Sequence, residues 1–211
     1  MAGGTGFSAG TFAFYEGLLA DNSKAYWAAH KDEYESAVRE PMRALLDRLA
    51  PSFGGGSVVM FRPYRDIRFS ADKSPYKLHQ GGFVEMSPGV GYYLQIDADG
   101  VLIGAGFHAR DRAQVASYRA AVDNTATGGQ IAAITAKLEK DGFELGGEQV
   151  KTRPRGVPAG HPRLDLMRRE YLTAGRSMPA GDVLAAEDFG GVVAAGWTKL
   201  RPLVEWVVAS V

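Results

Sequence analysis

Between Ser8 and Ala50 the apolar positions recur with helical spacing. Phe12, Phe14, Tyr15, Leu18 and Leu19 are the apolar set of a first helix, and Ser8 is its N-cap. Asp21-Asn22-Ser23 reads as a turn and the next N-cap. From Lys24 a long helix carries Trp27, Tyr34, Val38, Leu45, Leu46 and Leu49, and Pro41 should kink it or split it in two. Gly54-Gly55-Gly56 is a flexible joint, and after it the period changes. Val58–Phe61, Phe83–Met86, Tyr92–Ile96 and Val101–Phe107 read as strands. Asp97-Ala98-Asp99-Gly100 joins the last two as a hairpin turn, since Asp-Gly tolerates positive φ. Helices resume at Asp111–Val122 and Ile131–Lys140. A small hairpin follows from Phe143–Leu145 and Val150–Arg153, then late helices at Leu164–Tyr171 and Val192–Val208.

Strands therefore cluster mid-chain between two helical regions. That order predicts an α+β fold, with a central antiparallel sheet flanked by helices from both chain ends. No repeat or long linker divides the 211 residues, so one domain is expected over 1–211. It comprises N-terminal helices at 8–50, a sheet region at 58–109, and C-terminal helices with the small hairpin at 111–211. Trp27, Tyr34, Phe61, Phe69, Leu94 and Trp206 are expected in the core.

Composition narrows the function classes. Lys+Arg and Asp+Glu are each 24, and this zero net charge disfavours a general nucleic-acid binder. The absence of cysteine excludes disulfides, thiolate catalysis and thiolate metal sites. Residues 1–10 lack the charge and apolar run of a signal peptide. Charged residues and Pro202 interrupt Val192–Val208, so no membrane span is expected and a cytoplasmic location is the default.

Two motif-like stretches are better explained structurally. Gly104-Ala105-Gly106-Phe107-His108-Ala109 fits G-x-G-x-x-A, but it follows the second arm of a hairpin rather than a strand of a βαβ unit. Asp97 and Asp99 belong to a turn and lack the further ligands a hard cation needs. The four histidines, His30, His79, His108 and His161, form no metal-ligand spacing. No metal and no cofactor are expected. His79 and His108 keep interest, one following a basic segment and the other ending a strand.

Charge is unevenly distributed. Met1–Ser57 holds five basic and seven acidic residues, Arg62–Lys77 five and two, and Lys151–Glu170 six and two. Local collections of cations in a neutral protein favour a local anion site over a broad basic face. Within Arg62–Lys77 two prolines preclude a regular helix, and Tyr64, Ile67, Phe69 and Tyr76 are available to pin the loop. Arg offers a planar fork of donors suited to phosphate or carboxylate. Asp66 and Asp72 could orient those forks, or could close an Arg–Asp network with a purely structural role.

These residues resemble a known family, the domain of unknown function 2461 family. Its hallmark resembles R-x-x-R-D-x-R-F followed by Asp or Asn, Lys and Tyr. Here that is Arg62, Arg65-Asp66, Arg68-Phe69, Asp72-Lys73 and Tyr76. Asn22–Trp27 is similar to its Asn-rich, Trp-containing helix start, Gly91–Leu94 to its aromatic strand, and Gly104–Gly106 to its glycine-bearing strand. Asp21 stands where the first residue of the usual Asn pair is found. The resemblance spans almost the whole chain. It implies no activity, and it implies that the Gly-x-Gly is not a nucleotide fingerprint.

Three functional readings follow, and whether the protein is an enzyme stays open. In the first, Arg62, Arg65, Arg68, Lys73 and Lys77 surround a small anionic ligand, with Asp66 and Asp72 orienting them. Arg65 and Arg68 clamp the anion and Lys73 adds a point charge. Tyr76 or His108 is the candidate proton donor or acceptor, and Trp27 or Tyr93 a stacking wall. In the second, the two basic segments follow the phosphates of a nucleotide or nucleic acid. In the third, the motif is a stabilising ion-pair network in an interaction module.

Overall fold

Pro41 has no N–H to donate to the carbonyl of Ala37, and its ring crowds that oxygen. The chain responds by widening one turn. In the computed structural model, which describes residues 6–211, α2 (Lys24–Tyr34) passes through a π-helical turn at Glu35–Arg39 into α3 (Glu40–Leu49). Thr11 of α1 (Ala9–Ala20) takes the place of the missing donor: its buried hydroxyl donates to the Ala37 carbonyl at 2.7 Å. The Thr11 hydroxyl oxygen in turn accepts from the Ser8 N–H at 3.0 Å, which sets the start of α1. Ser23 caps α2 by accepting from the Tyr26 N–H.

The remaining elements are β1 (Ser57–Met60), β2 (His79–Ser87), β3 (Val90–Asp97), β4 (Gly100–Phe107), α4 (Arg112–Asp123), α5 (Thr125–Lys140), β5 (Glu144–Gly146), α6 (Leu164–Met167), β6 (Leu172–Pro179), α7 (Ala180–Ala185) and α8 (Phe189–Ser210). The strands form one six-stranded antiparallel sheet in the order β1-β2-β3-β4-β6-β5, and the fold is α+β. At the β3–β4 turn the Asp97 carboxylate accepts from the Asp99 and Gly100 N–H groups, at 3.0 and 3.1 Å. The leader reading of residues 1–10 falls partly on 1–5, outside the described residues. Among the described residues, no helix is long and apolar enough to cross a membrane.

The chain divides into two compact units. One is Met1–Val84 with Tyr93–Ile103 and Ser177–Ala195; the other is Glu85–Tyr92 with Gly104–Arg176 and Gly196–Val211. In the first, Phe14, Leu18, Trp27, Tyr34, Val38, Met42 and Leu46 are buried together with Leu94 and Ile96. Gly82 lets α3 approach β2 closely: a Cβ there would meet Leu46, Met42 and Met60. In the second unit Phe107, Tyr118, Val122, Ile131, Leu172, Trp197 and Trp206 are buried. The Trp206 indole donates to the Thr127 carbonyl at 2.9 Å.

The C-terminal half differs from the sequence expectation in two ways. Phe143–Leu145 and Val150–Arg153 do not pair with each other. Instead β5 pairs with β6, with Leu145 opposite Ala174, and Gln149 bridges Arg169. The expected helix at Leu164–Tyr171 is a single turn, and a strand with no sequence prediction follows it. That strand, β6, holds Gly175, Arg176 and Ser177, residues of low strand propensity, so only the burial of Leu172 and Ala174 marks it. Gly104 and Gly106 lie in β4, a hairpin strand. Gly106 has φ +137°, and a Cβ there would run into the Leu172 carbonyl of β6.

Candidate functional site

Arg62–Lys77 links β1 to β2, and its ends are held together. Tyr64 and Tyr76 form an antiparallel bridge. The Arg65 N–H donates to the Pro75 carbonyl at 2.9 Å and the Lys77 N–H to the Pro63 carbonyl at 2.7 Å. These bonds make a neck, and residues 65–75 hang from it as a lobe.

The turn before α2 grips the neck. The Asn22 side chain accepts from the Tyr76 N–H at 3.1 Å and donates to the Tyr76 carbonyl at 3.0 Å. Its amide thus serves Tyr76 as a neighbouring strand would. One turn along α2, the Trp27 ring stacks on the Tyr76 ring, with centroids 4.2 Å apart and 8° between planes. Both rings are buried. Burial, and then Tyr64, raises the Tyr76 phenol above its ordinary pKa, so it stays protonated at neutral pH.

Inside the lobe the carboxylates are already paired. Arg68 forks onto Asp66 through Nε at 2.9 Å and Nη2 at 2.6 Å. Arg65 Nη1 meets Asp72, and Asp72 also accepts from the Ser74 N–H at 2.9 Å and hydroxyl at 2.7 Å. Lys73 Nζ donates to the Ile67 carbonyl at 3.0 Å. Both aspartates are held below their ordinary pKa: Asp66 chiefly by Arg68, and Asp72 first by Ser74 and then by Arg65.

The apolar pins differ from the expectation. Phe69 is 96% exposed, Tyr64 51% and Phe61 38%. Only Tyr76 of the pinning set is buried. Short hydrogen-bonded turns and ion pairs shape the lobe, so Phe69 has nothing to pack under and the aromatic-anchored loop does not hold. Trp27, Tyr34, Leu94 and Trp206 are buried as expected.

At the neck the situation reverses. Arg62 is exposed and Lys77 half-buried, and neither is in an ion pair among the described residues, although the charge of Arg62 also helps to lower Asp66. Lys77 Nζ lies over the Phe61 ring, 5.9 Å from its centroid. Burial and then the charge of Arg62 draw the Lys77 ammonium below its ordinary pKa. His79 is likewise lowered, first by burial and then by Lys77, against an opposing pull from Asp97. Its imidazole is therefore neutral at pH 7 and free to share a hydrogen bond.

Beside these groups the Phe61 and Tyr93 rings lie 6.0 Å apart. The Tyr93 hydroxyl donates to Gln95 Oε1 at 2.8 Å, and Gln95 donates to Asp97 at 3.2 Å. Burial, with a contribution from Asp97, pushes the Tyr93 phenol up to about 12. Behind this face Gln80 is buried. Its Oε1 accepts from the Tyr34 hydroxyl, and its Nε2 donates to the carbonyls of Phe61 and Gly81 at 2.8 and 2.7 Å.

The sequence marks His79 only as following a basic segment and Phe61 only as core, and it gives Gly81 no role. The Gly81-Gly82 pair looks like a strand break, so β2 was expected to begin at Phe83. Starting it at His79 and applying the two-residue strand period puts His79 and Gly81 on one face and Gln80 on the other.

The remaining candidates lie in the second unit. His108, at the end of β4, stacks on Tyr171 at 4.1 Å. In the second basic segment the arginines hold main-chain carbonyls: Arg163 those of Val122 and Asp123, Arg168 those of Val150 and Lys151, and Arg169 that of Gly146. They brace the connections around α6.

An antiparallel α+β fold, with an arginine-bearing loop tied at its neck to the N-terminal helices, defines the class. The chain belongs to the family described as "Conserved hypothetical protein (DUF2461)", whose model matches residues 10–206. Comparison with curated proteins gave no match.

Proposed function

We propose that the protein binds a small anion, a phosphate or a carboxylate, at the neck of the Arg62–Lys77 loop. The observation that carries this reading is the contrast between lobe and neck. In the lobe Arg65 and Arg68 have Asp72 and Asp66 as ion-pair partners and Lys73 the Ile67 carbonyl. Among the described residues Arg62 and Lys77 have no ion pair and no side-chain hydrogen bond, the charge of Arg62 reaching Asp66, already forked by Arg68, and acting on Lys77. An anion between them would relieve that repulsion and complete the charge-assisted hydrogen bonds both groups can make.

In this reading Asp66, Arg68, Asp72, Arg65 and Lys73 fix the lobe, and Trp27 and Tyr76 fix the neck. Arg62 contributes a two-point fork and Lys77 a point charge. His79, neutral beside them, supplies a hydrogen bond. The structural reading of the motif is thereby confined to the lobe.

Thermal melts in inorganic phosphate test it. At about a hundred times its dissociation constant, phosphate should stabilise the protein by roughly 2.7 kcal/mol, a rise of several degrees. Arg62→Ala and Lys77→Ala should each remove most of the rise, while Arg68→Ala keeps it. No rise in wild type, or a rise that both neck variants retain, overturns the proposal.

A further inference from the structure

We infer that the anion bound at the neck is carried by a ligand with a planar ring, and that the ring rests on Phe61 and Tyr93: the chemistry of a nucleotide. This rests on the anion reading and adds the identity of what the anion is attached to. The two rings lie 6.0 Å apart at a 32° tilt. Phe61 retains 38% of its exposure, a large aromatic left open on a sheet surface. Arg62 is its chain neighbour, and Lys77 Nζ lies 5.9 Å from its ring centroid. A phosphate held by Lys77 therefore places an attached ring within reach of the same aromatics, with a pentose spanning the interval.

Gly81 makes this bed. It sits between the rings on β2, where a Cβ would lie 2.7 Å from the Tyr93 hydroxyl and 2.9 Å from the Phe61 ring. Any side chain there would lift both rings off the strand. The side-chain amide of Gln95 and the His79 imidazole lie along the same face and offer donors and acceptors to a base edge. Aromatics on a sheet with cations beside them are the general solution for stacking bases while holding phosphate. Zero net charge favours a mononucleotide over a long strand.

Calorimetric titration of the whole chain separates the outcomes. The probes are inorganic phosphate, ribose 5-phosphate, adenosine and uridine monophosphates, and a short single-stranded oligonucleotide. A stacked base should tighten binding over ribose 5-phosphate about tenfold or more. Phe61→Leu, which keeps apolar bulk and removes the ring, should erase that gain, so that the variant binds the monophosphates no tighter than it binds ribose 5-phosphate. Gly81→Ala should erase it as well. A monophosphate tighter than the oligonucleotide identifies a free nucleotide, and the reverse order identifies a strand; either supports ring-and-phosphate recognition. Equal affinity for ribose 5-phosphate and both monophosphates overturns this inference and leaves the anion reading standing. If no probe binds, both fall.

Discussion

The side-chain amide of Asn22 makes two hydrogen bonds to the main chain of Tyr76, one to its N–H and one to its carbonyl. Two segments 54 residues apart in sequence are thereby joined by a bond pattern that normally belongs to a sheet. Asn22→Ala should leave both Tyr76 groups unpaired in a partly buried place, at about 1–3 kcal/mol. Asn22→Asp keeps the acceptor and loses the donor, so its loss should be smaller. Urea denaturation measures both, and an alanine variant as stable as wild type would show that the grip contributes nothing.

Acid should loosen the lobe before the rest of the fold. Asp66 and Asp72 have folded pKa values depressed below the ordinary aspartate value. Depressed carboxylates contribute stability above the unfolded pKa, and that contribution is lost as pH falls through the folded values. The window thus lies below about pH 4. Hydrogen exchange at the Ser74 amide, which donates to Asp72, should accelerate there relative to core amides. A protection factor that does not change with acidity would contradict this.

Phe69 should be thermodynamically silent. At 96% exposure, Phe69→Ser should change stability by no more than about 0.5 kcal/mol. Trp27→Ala, in the same region but buried against Tyr76, should cost about 3–5 kcal/mol. The two unfolding curves side by side settle the matter, and equal losses would restore an anchoring role to Phe69.

Gly106→Ala combines two penalties. Its φ of +137° disfavours any side chain, and the added methyl meets the Leu172 main chain. Their sum should outweigh the roughly 0.4–1 kcal/mol that alanine gains elsewhere by restricting the unfolded chain, so the variant should be less stable than wild type. Because β6 takes the strain, exchange of the β6 amides should rise most. Wild-type stability would show that the two strands can separate freely.

Much of this was legible from the sequence. Periodicity found the N-terminal helices, the β3–β4 hairpin and α8, since each has a strong apolar repeat or a turn signature such as Asp99-Gly100. β6 was not legible, because its partners on either side, and not its own residues, make it a strand. At the site, charge counting rightly marked a surplus of cations in Arg62–Lys77. It could not assign partners. Asp66 pairs with Arg68 rather than its sequence neighbour Arg65, and Asp72 with Arg65 rather than the nearer Arg68. That crossed pairing leaves Arg62, Lys73 and Lys77 over, and of these Lys73 turns to the Ile67 carbonyl. The exposure of Phe69 follows from the same turns, since an aromatic beside an Asx-stabilised bend has no guaranteed neighbour.

The neck has a further consequence. Because Tyr64 and Tyr76 bridge at its base, the strands on either side of the loop do not register how many residues the lobe contains. Doubling its length would add only about 0.6 kcal/mol of closure entropy. The lobe is in effect a replaceable insert: it could be trimmed, lengthened or exchanged without disturbing β1, β2 or the Asn22 clasp.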